Sequence, residues 1–325
     1  MGTSESTPNP PKRLGVLGTL VRDTIHLPGA DRSAKAWGGI AYALAAFDHV
    51  LPPGWTVVPV IKVGNDMADR ALPFLRSFTT VGDMGLVRVV PEPNNRVELT
   101  YTTQTDRVEV LDGGVPEWSP REIAEVLPVL DALYVNFISG VELDLAGAVS
   151  VRDKLHGPSY ADLHSLFLDI GSDGRRSPRY LPSSGRWAGC FDTVQMNENE
   201  FELFVRGAPD PWPVAERAMA GRLGRIVVTR GADGAEIMTI GQDGVPPARE
   251  SVPAATGPAA GDPTGCGDVW GATFFASILG EAATGAAARR ANRVACDKVG
   301  YTGSEAFRDA ALRKAASSDV TPGGQ

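Results

Sequence analysis

The residues best placed to do chemistry lie in AAGDPTGCGDVWGATFFASILG. Gly265 and Gly267 flank a small residue, Cys266, so the backbone there can approach a ligand closely. An apolar helical pattern (Val269, Trp270, Ala272, Thr273, Phe274) starts at once, with a carboxylate, Asp268, at the junction. A helix start presents unpaired N–H groups and a partial positive charge that together favour a phosphate. A carboxylate at that point can take the proton of an alcohol lying beside the phosphate, so anion stabilisation and nucleophile activation, the needs of phosphoryl transfer, coincide. Read alone, Asp268 is equally a helix cap after a glycine turn, and Gly-x-Gly by itself is a weak signal.

These residues need elements to position them. Short apolar runs alternate with helical patterns: Leu14 to Leu20, Val57 to Val63, ALYVNFI, SLFLDI, Phe191–Met196 and RIVVTR read as strands. Helices are expected over Met67 to Phe78, DLAGAVSVRDKL and NEFELFV, with two Ala-rich ones from about Asp268 and Thr284. That order implies a mainly parallel sheet covered on both faces, with ligands beyond the carboxyl ends of its strands. Residues 86–111 instead alternate apolar and polar and read as a meander with one wet face. Joined by residues 22–36, it would form a lid. Residues 1–11 and 317–325, Ser/Thr/Pro- and Gly-rich, read as frayed tails around one domain, 12–316.

Bulk properties narrow the function. The 325 residues carry a net charge of −8 and are 43% hydrophobic, as a globular chain with a sizeable core would be. The negative balance disfavours nucleic acid and anionic membrane surfaces as partners. The three cysteines, Cys190, Cys266 and Cys296, form neither a metal pattern nor a disulfide framework, which suits a reducing cytoplasm. Neither a signal sequence nor a membrane span is legible.

DPTGCGD resembles the Asp-Thr-x-Gly-Ala-Gly-Asp signature of the PfkB/ribokinase family of carbohydrate kinases, with Pro263 for Thr and Cys266 for Ala. Other landmarks follow in order over residues 12 to 305: GVLGTLVRD ending at Asp23, Trp37-Gly38-Gly39 before an Ala-rich helix, MNENE, and VVTRGADG. The resemblance implies a three-layer α/β/α sandwich with a small β lid, and an ATP- and Mg2+-dependent kinase acting on a sugar, polyol or nucleoside. It implies Asp268 as general base and the amides of Gly265, Cys266 and Gly267 as anion hole. Asp23, Gly38 and Gly39 would bind the acceptor. Asn197 and Glu200 would serve Mg2+ through water, although alone they read as a helix cap and its first turn. Thr229, Gly231 and Gly234 would border the nucleotide, with Asn292 a candidate adenine neighbour. Asp262 would be a candidate ligand for a monovalent cation such as K+, or an ordinary turn carboxylate. Lids of this type sometimes pair into homodimers.

The chain departs from the family's pattern at two further places. The Asn that follows the Gly-Gly signature falls on Ala43, with Tyr42 beside it as an aromatic face. Where the family often has Asp-x-Asn-x-Arg, this chain has DLHSL, placing His164 and Leu166 after Asp162; His164, at a strand end that should face the cleft, would contact the acceptor or be a hydrogen-bonded structural histidine. Arg96 on the lid could reach an anionic group, or be a solvated strand charge. Tyr42, Trp37 or Phe137 could stack on a base. Two competing readings remain. One is a catalytically silent family member used for binding or regulation. The other, a dinucleotide oxidoreductase, lacks G-x-G-x-x-G after its first strand.

Overall fold

The computed structural model describes residues 10–27, 29, 32–102, 107–241, 245–257 and 261–318. Most of the two expected tails therefore lies outside the described residues. The central sheet has eight strands in the order Ala248–Val252, Ala235–Thr239, Arg225–Thr229, Thr193–Asn197, Ser159–Asp162, Ala132–Asn136, Lys12–Leu17 and Trp55–Val60. All neighbours pair in parallel except Ala235–Thr239, which runs against both of its partners.

Alternation along the strands feeds two separate cores. Ala132 and Tyr134 pack on one face with the helices Ile40–Val50, Cys266–Leu279 and Thr284–Val299. Leu133 and Val135 pack on the other, with Pro120–Val126, Leu145–Lys154 and Glu198–Phe204. A sheet apolar on both faces must be covered on both, and the expected three-layer α/β/α sandwich results. Helix starts are capped locally: Ser119 with Glu122, Asp144 on the Gly147 amide, Asn197 with Glu200.

A second sheet of four strands, ordered Ala34–Gly39, Leu20–His26, Arg96–Tyr101 and Arg107–Asp112, turns Val21, Ile25, Val97, Leu99 and Tyr101 to a small core of its own. Residues from both expected lid segments thus share one sheet. The first run of the expected meander does not join it, because Arg88–Val90 pairs with Lys62–Gly64. That pairing also splits the expected strand Val57 to Val63 between two sheets. SLFLDI is not a central strand either. His164–Phe167 is a 3-10 turn and Leu168–Ile170 one arm of a hairpin with Arg176–Pro178. The central position belongs to the shorter Ser159–Asp162, whose polar Ser and Asp hide its strand character in the sequence. Among the described residues no helix is long and apolar enough to cross a membrane.

Candidate active site

Adjacent parallel strands end at Asn136, Asp162, Asn197 and Thr229, which puts four polar side chains along one edge of the sheet. The first turn of the helix Cys266–Leu279 faces them. Its cap, Gly265, is left-handed at φ 79°, and a Cβ there would overlap the ring of Tyr42, so glycine is demanded twice. Asn136 Nδ2 donates to Asp268 Oδ1 at 2.5 Å and fixes the plane of that carboxylate. Gln195 Nε2 donates to the Gly267 carbonyl at 3.1 Å and to Asp162 Oδ2 at 3.0 Å, tying the helix start to the strand ends.

Two cavities meet at this point. One, of about 330 Å³, is lined by Asn197, Glu200, Thr229, Gly231 and residues 265–268. The other, of about 70 Å³, lies under the small sheet between Asp23, Gly39, Glu109, Arg176 and Asp268. Asp268, Gly265 and His164 line both.

Asp23 is buried against Gly38, whose missing side chain makes room for the carboxylate. Gly39, at φ 58°, caps the helix Ile40–Val50 with its Cα against the Thr19 carbonyl. Thr264 ties the site to the small sheet, as its hydroxyl and that of Tyr101 lie 2.7 Å apart.

Asn197 and Glu200 form a reciprocal capping box: Glu200 N–H donates to Asn197 Oδ1 at 3.0 Å and Asn197 N–H to Glu200 Oε2 at 2.8 Å. Glu200 Oε1 also accepts from Asn197 Nδ2 at 2.6 Å and is bonded to His164 Nδ1. Burial works against a charged His164, but the Glu200 carboxylate overrides it and raises the imidazole to about 9. Asp162 moves the other way for an acid. Burial first, and then the Glu200 charge, push its carboxyl up to about 8.

Both shifts destabilise the fold as pH rises. His164 contributes stability that is complete below its ordinary 6.5 and lost as pH passes about 9. Asp162 holds a proton in the folded chain that the unfolded chain releases above 3.8, so its contribution is lost on the way to about 8. The melting temperature is therefore expected to fall steadily from pH 5 to pH 9 through roughly these two titrations. In a pH series, Asp162→Asn should flatten the lower part of the decline and His164→Gln the upper part.

Several expected contacts are corrected. The Cys266 N–H donates to the Pro263 carbonyl at 3.1 Å, so one of the three expected anion-hole amides is already used. The amides of Gly265 and Gly267 have no intramolecular acceptor among the described residues. The Cys266 thiol, pushed up to about 11 by burial, stays protonated. Asn292, the candidate adenine neighbour, lines neither cavity, and its amide is engaged: its Oδ1 accepts from Trp270 Nε1 at 2.7 Å and its Nδ2 donates to the carbonyls of Val252 and Pro253. Gly234 is a turn glycine at φ 95° pressed on the Val252–Ala254 backbone, away from either cavity. Arg96 turns to an ion pair with Asp66. Tyr42 reaches the smaller cavity, but its ring is packed against Gly265 and under the Lys298 ammonium. Trp37 stacks on Phe74, and Phe137 is core against Trp187 and Phe191, so neither offers a face to a base.

Asp262, the expected candidate for a monovalent cation, is already engaged at both carboxylate oxygens. Its Oδ1 accepts the Thr264 N–H at 2.9 Å, its Oδ2 the Gly303 N–H at 3.3 Å, and the Lys298 ammonium stands 3.4 Å from that second oxygen.

The sequence reading missed Asn136, Gln195, Glu109, Arg176 and Lys298. For the first two there was a signal, a lone amide at or near the end of an apolar strand run. The other three are ordinary charges in the sequence, and only the fold buries them.

Residues 170–310 match the pfkB family carbohydrate kinase profile. In structure the chain is similar to a pyrophosphate-dependent kinase in the ribokinase family (17% identity, 92% of this chain and 99% of the other, TM-score 0.72). It is similar also to the Burkholderia thailandensis nucleoside kinase (17%, 96% and 100%, 0.70) and to the Thermotoga maritima ribokinase (16%, 93% and 99%, 0.69). The chain is pfkB-like in sequence over residues 170–310 and ribokinase-like in fold. No curated protein matches it by sequence. The matched segment contains Asn197, Glu200, Thr229 and the whole DPTGCGD turn. Asp23, Gly38, Gly39, Asp162 and His164 of this ribokinase-like site fall outside it.

Proposed function

We propose that this pfkB-like chain transfers a phosphoryl group to a hydroxyl of a small polyhydroxylated acceptor, with Asp268 as general base. The supporting observation is that Asp268 lines both cavities and stands at the start of a helix whose first residues line the larger one. The larger cavity would hold the donor phosphates, with the Gly265 and Gly267 amides and the helix start stabilising charge on the migrating group. Asp268 would receive the acceptor proton as the new P–O bond forms and the bond to the donor's leaving oxygen breaks.

ATP is the first donor reading, and neighbours of this fold were solved with ADP-inosine and with ATP and Mg2+. Glu200, whose Oε1 holds two hydrogen bonds while Oε2 holds one and can accept another, suits contact with Mg2+ through water, and the metal would screen the phosphate charge. Pyrophosphate is the second donor reading. It is favoured by the engaged Asn292 and by a donor cavity that, among the described residues, no Phe, Tyr or Trp lines.

For the acceptor, carboxylates of Asp23 and Glu109 and the Arg176 guanidinium offer both hydrogen-bond acceptors and donors to hydroxyls. A cavity of about 70 Å³ favours a compact sugar or polyol over a nucleoside. Gly38→Ala tests this half of the site, because the new methyl would overlap the Asp23 carboxylate and displace it. We expect the acceptor KM to rise about 10-fold or more, on the scale of one lost charged hydrogen bond, with kcat changed less.

The reading as a whole is tested by donor consumption across sugars, polyols and nucleosides, with ATP and with pyrophosphate, in Mg2+. Acceptor-dependent consumption of either donor supports it. Donor binding without turnover across the panel would favour a silent binding protein.

A further inference from the structure

Lys298 is the one lysine of the described residues that is wholly buried, with its side chain 0% exposed. A buried ammonium needs oxygens and charge around it. Its Nζ donates to the Asp262 carbonyl at 2.8 Å, lies 3.4 Å from Asp262 Oδ2, and sits 5.2 Å from the centroid of the Tyr42 ring. Two of these contacts are to Asp262, three residues before Gly265, and the third is to the ring on which Gly265 packs. On the far side of the knot, the Asp262 N–H donates to the Val299 carbonyl at 2.9 Å, and Gly261 has no room for a side chain against that same carbonyl. The last turn of the helix Thr284–Val299 is thereby bound to the segment 261–265, and a cation there also suits the helix's negative end.

We propose that Lys298 is a built-in cation that positions the Gly265–Asp268 turn, in place of the exchangeable monovalent ion expected at Asp262. A second cation on that carboxylate would face the ammonium at close range inside a low-dielectric pocket, where repulsion is large. The ammonium acts on the turn through two contacts. It fixes Asp262, whose carboxylate receives the Thr264 N–H, and it holds the Tyr42 ring, against which Gly265 packs. Lys298 is a positioning residue. Its consequence for turnover rests on the proposed function, whereas its consequence for cation binding does not.

The experiment compares wild type, Lys298→Ala and Lys298→Met in K+, NH4+ and choline buffers, reading melting temperature and donor consumption. Wild type should be indifferent to the cation in both readouts. Lys298→Ala should melt several degrees lower in choline and recover, by a shift of about 2–5 °C, in K+ or NH4+, as a ligand filling the emptied site would cause. Its turnover should recover with the same ions. Lys298→Met keeps the volume filled and should show the loss without the recovery. A wild type stabilised or activated several-fold by K+ overturns the proposal, as does a Lys298→Ala protein that melts and turns over like wild type in choline. If Lys298→Ala does not fold, the wild-type series and Lys298→Met decide. If no variant turns over any acceptor, the melting shifts still decide, and only the proposed activity falls.

Discussion

Replacing Asp268 by Asn should lower turnover by about 10²–10⁴-fold while leaving donor affinity close to wild type. The substitution keeps the shape of the side chain and its place beside Asn136, whose Nδ2 now donates to Asp268 Oδ1. It removes the one property the reaction needs there, a carboxylate able to accept the alcohol's proton. The donor cavity shares Asp268 but is built chiefly from Asn197, Glu200, Thr229 and the glycine turn. A mutation confined to the proton acceptor should therefore separate binding from chemistry, with kcat and kcat/KM falling together. Calorimetry with the donor and rate measurement on the same preparation check both halves. Loss of donor binding in parallel with rate would show that Asp268 serves the fold of the turn instead.

The second large effect is expected at Gly265. An alanine there must hold a left-handed backbone at φ 79°, and its methyl would land in the Tyr42 ring. Strain and overpacking each cost about 1–3 kcal/mol, so Gly265→Ala should lose roughly 2–6 kcal/mol of stability. Tyr42 has nowhere to retreat, being buried with Lys298 over its ring. The turn must shift instead, carrying Gly267 and Asp268 with it, and turnover should fall at least about as far as for Asp268→Asn. Denaturant unfolding and rate measurement on one sample test this. Gly267→Ala is the control, because a Cβ there meets only Gln195 Nε2 at 3.6 Å and should cost the fold little.

How much of this was legible in the sequence depends on the range of the contacts involved. The turn into the helix at Gly265, the capping box of Asn197 and Glu200, and the alternation of strands and helices are local patterns, and they could be read from neighbouring residues. The same holds for Gly38, which precedes an Ala-rich helix as a strand-to-helix glycine should. SLFLDI was misread because four apolar residues in six fit a buried strand, while the true strand, Ser159–Asp162, carries two polar residues whose partners lie far along the chain. Ser159 bonds Asp192 and Asp162 bonds Gln195. Lys298, Arg176 and Glu109 were illegible for the same reason. A charge in a helix or edge strand reads as solvated until the fold brings Asp262, Ile138 or Arg176 against it. Asn292 shows the converse. Its place in the last long helix suggested an adenine contact, but Trp270, one helix away, takes its carbonyl oxygen, and the Val252 and Pro253 carbonyls take its amide.

The most direct measurement is a crystal structure of the Asp268→Asn protein with donor and an acceptor found by the consumption screen. The acceptor hydroxyl should lie about 3 Å from the side chain at position 268, in line with a phosphorus held at the Gly265 and Gly267 amides. A phosphoryl group bound elsewhere, or an acceptor whose hydroxyls all point away from that side chain, would contradict it.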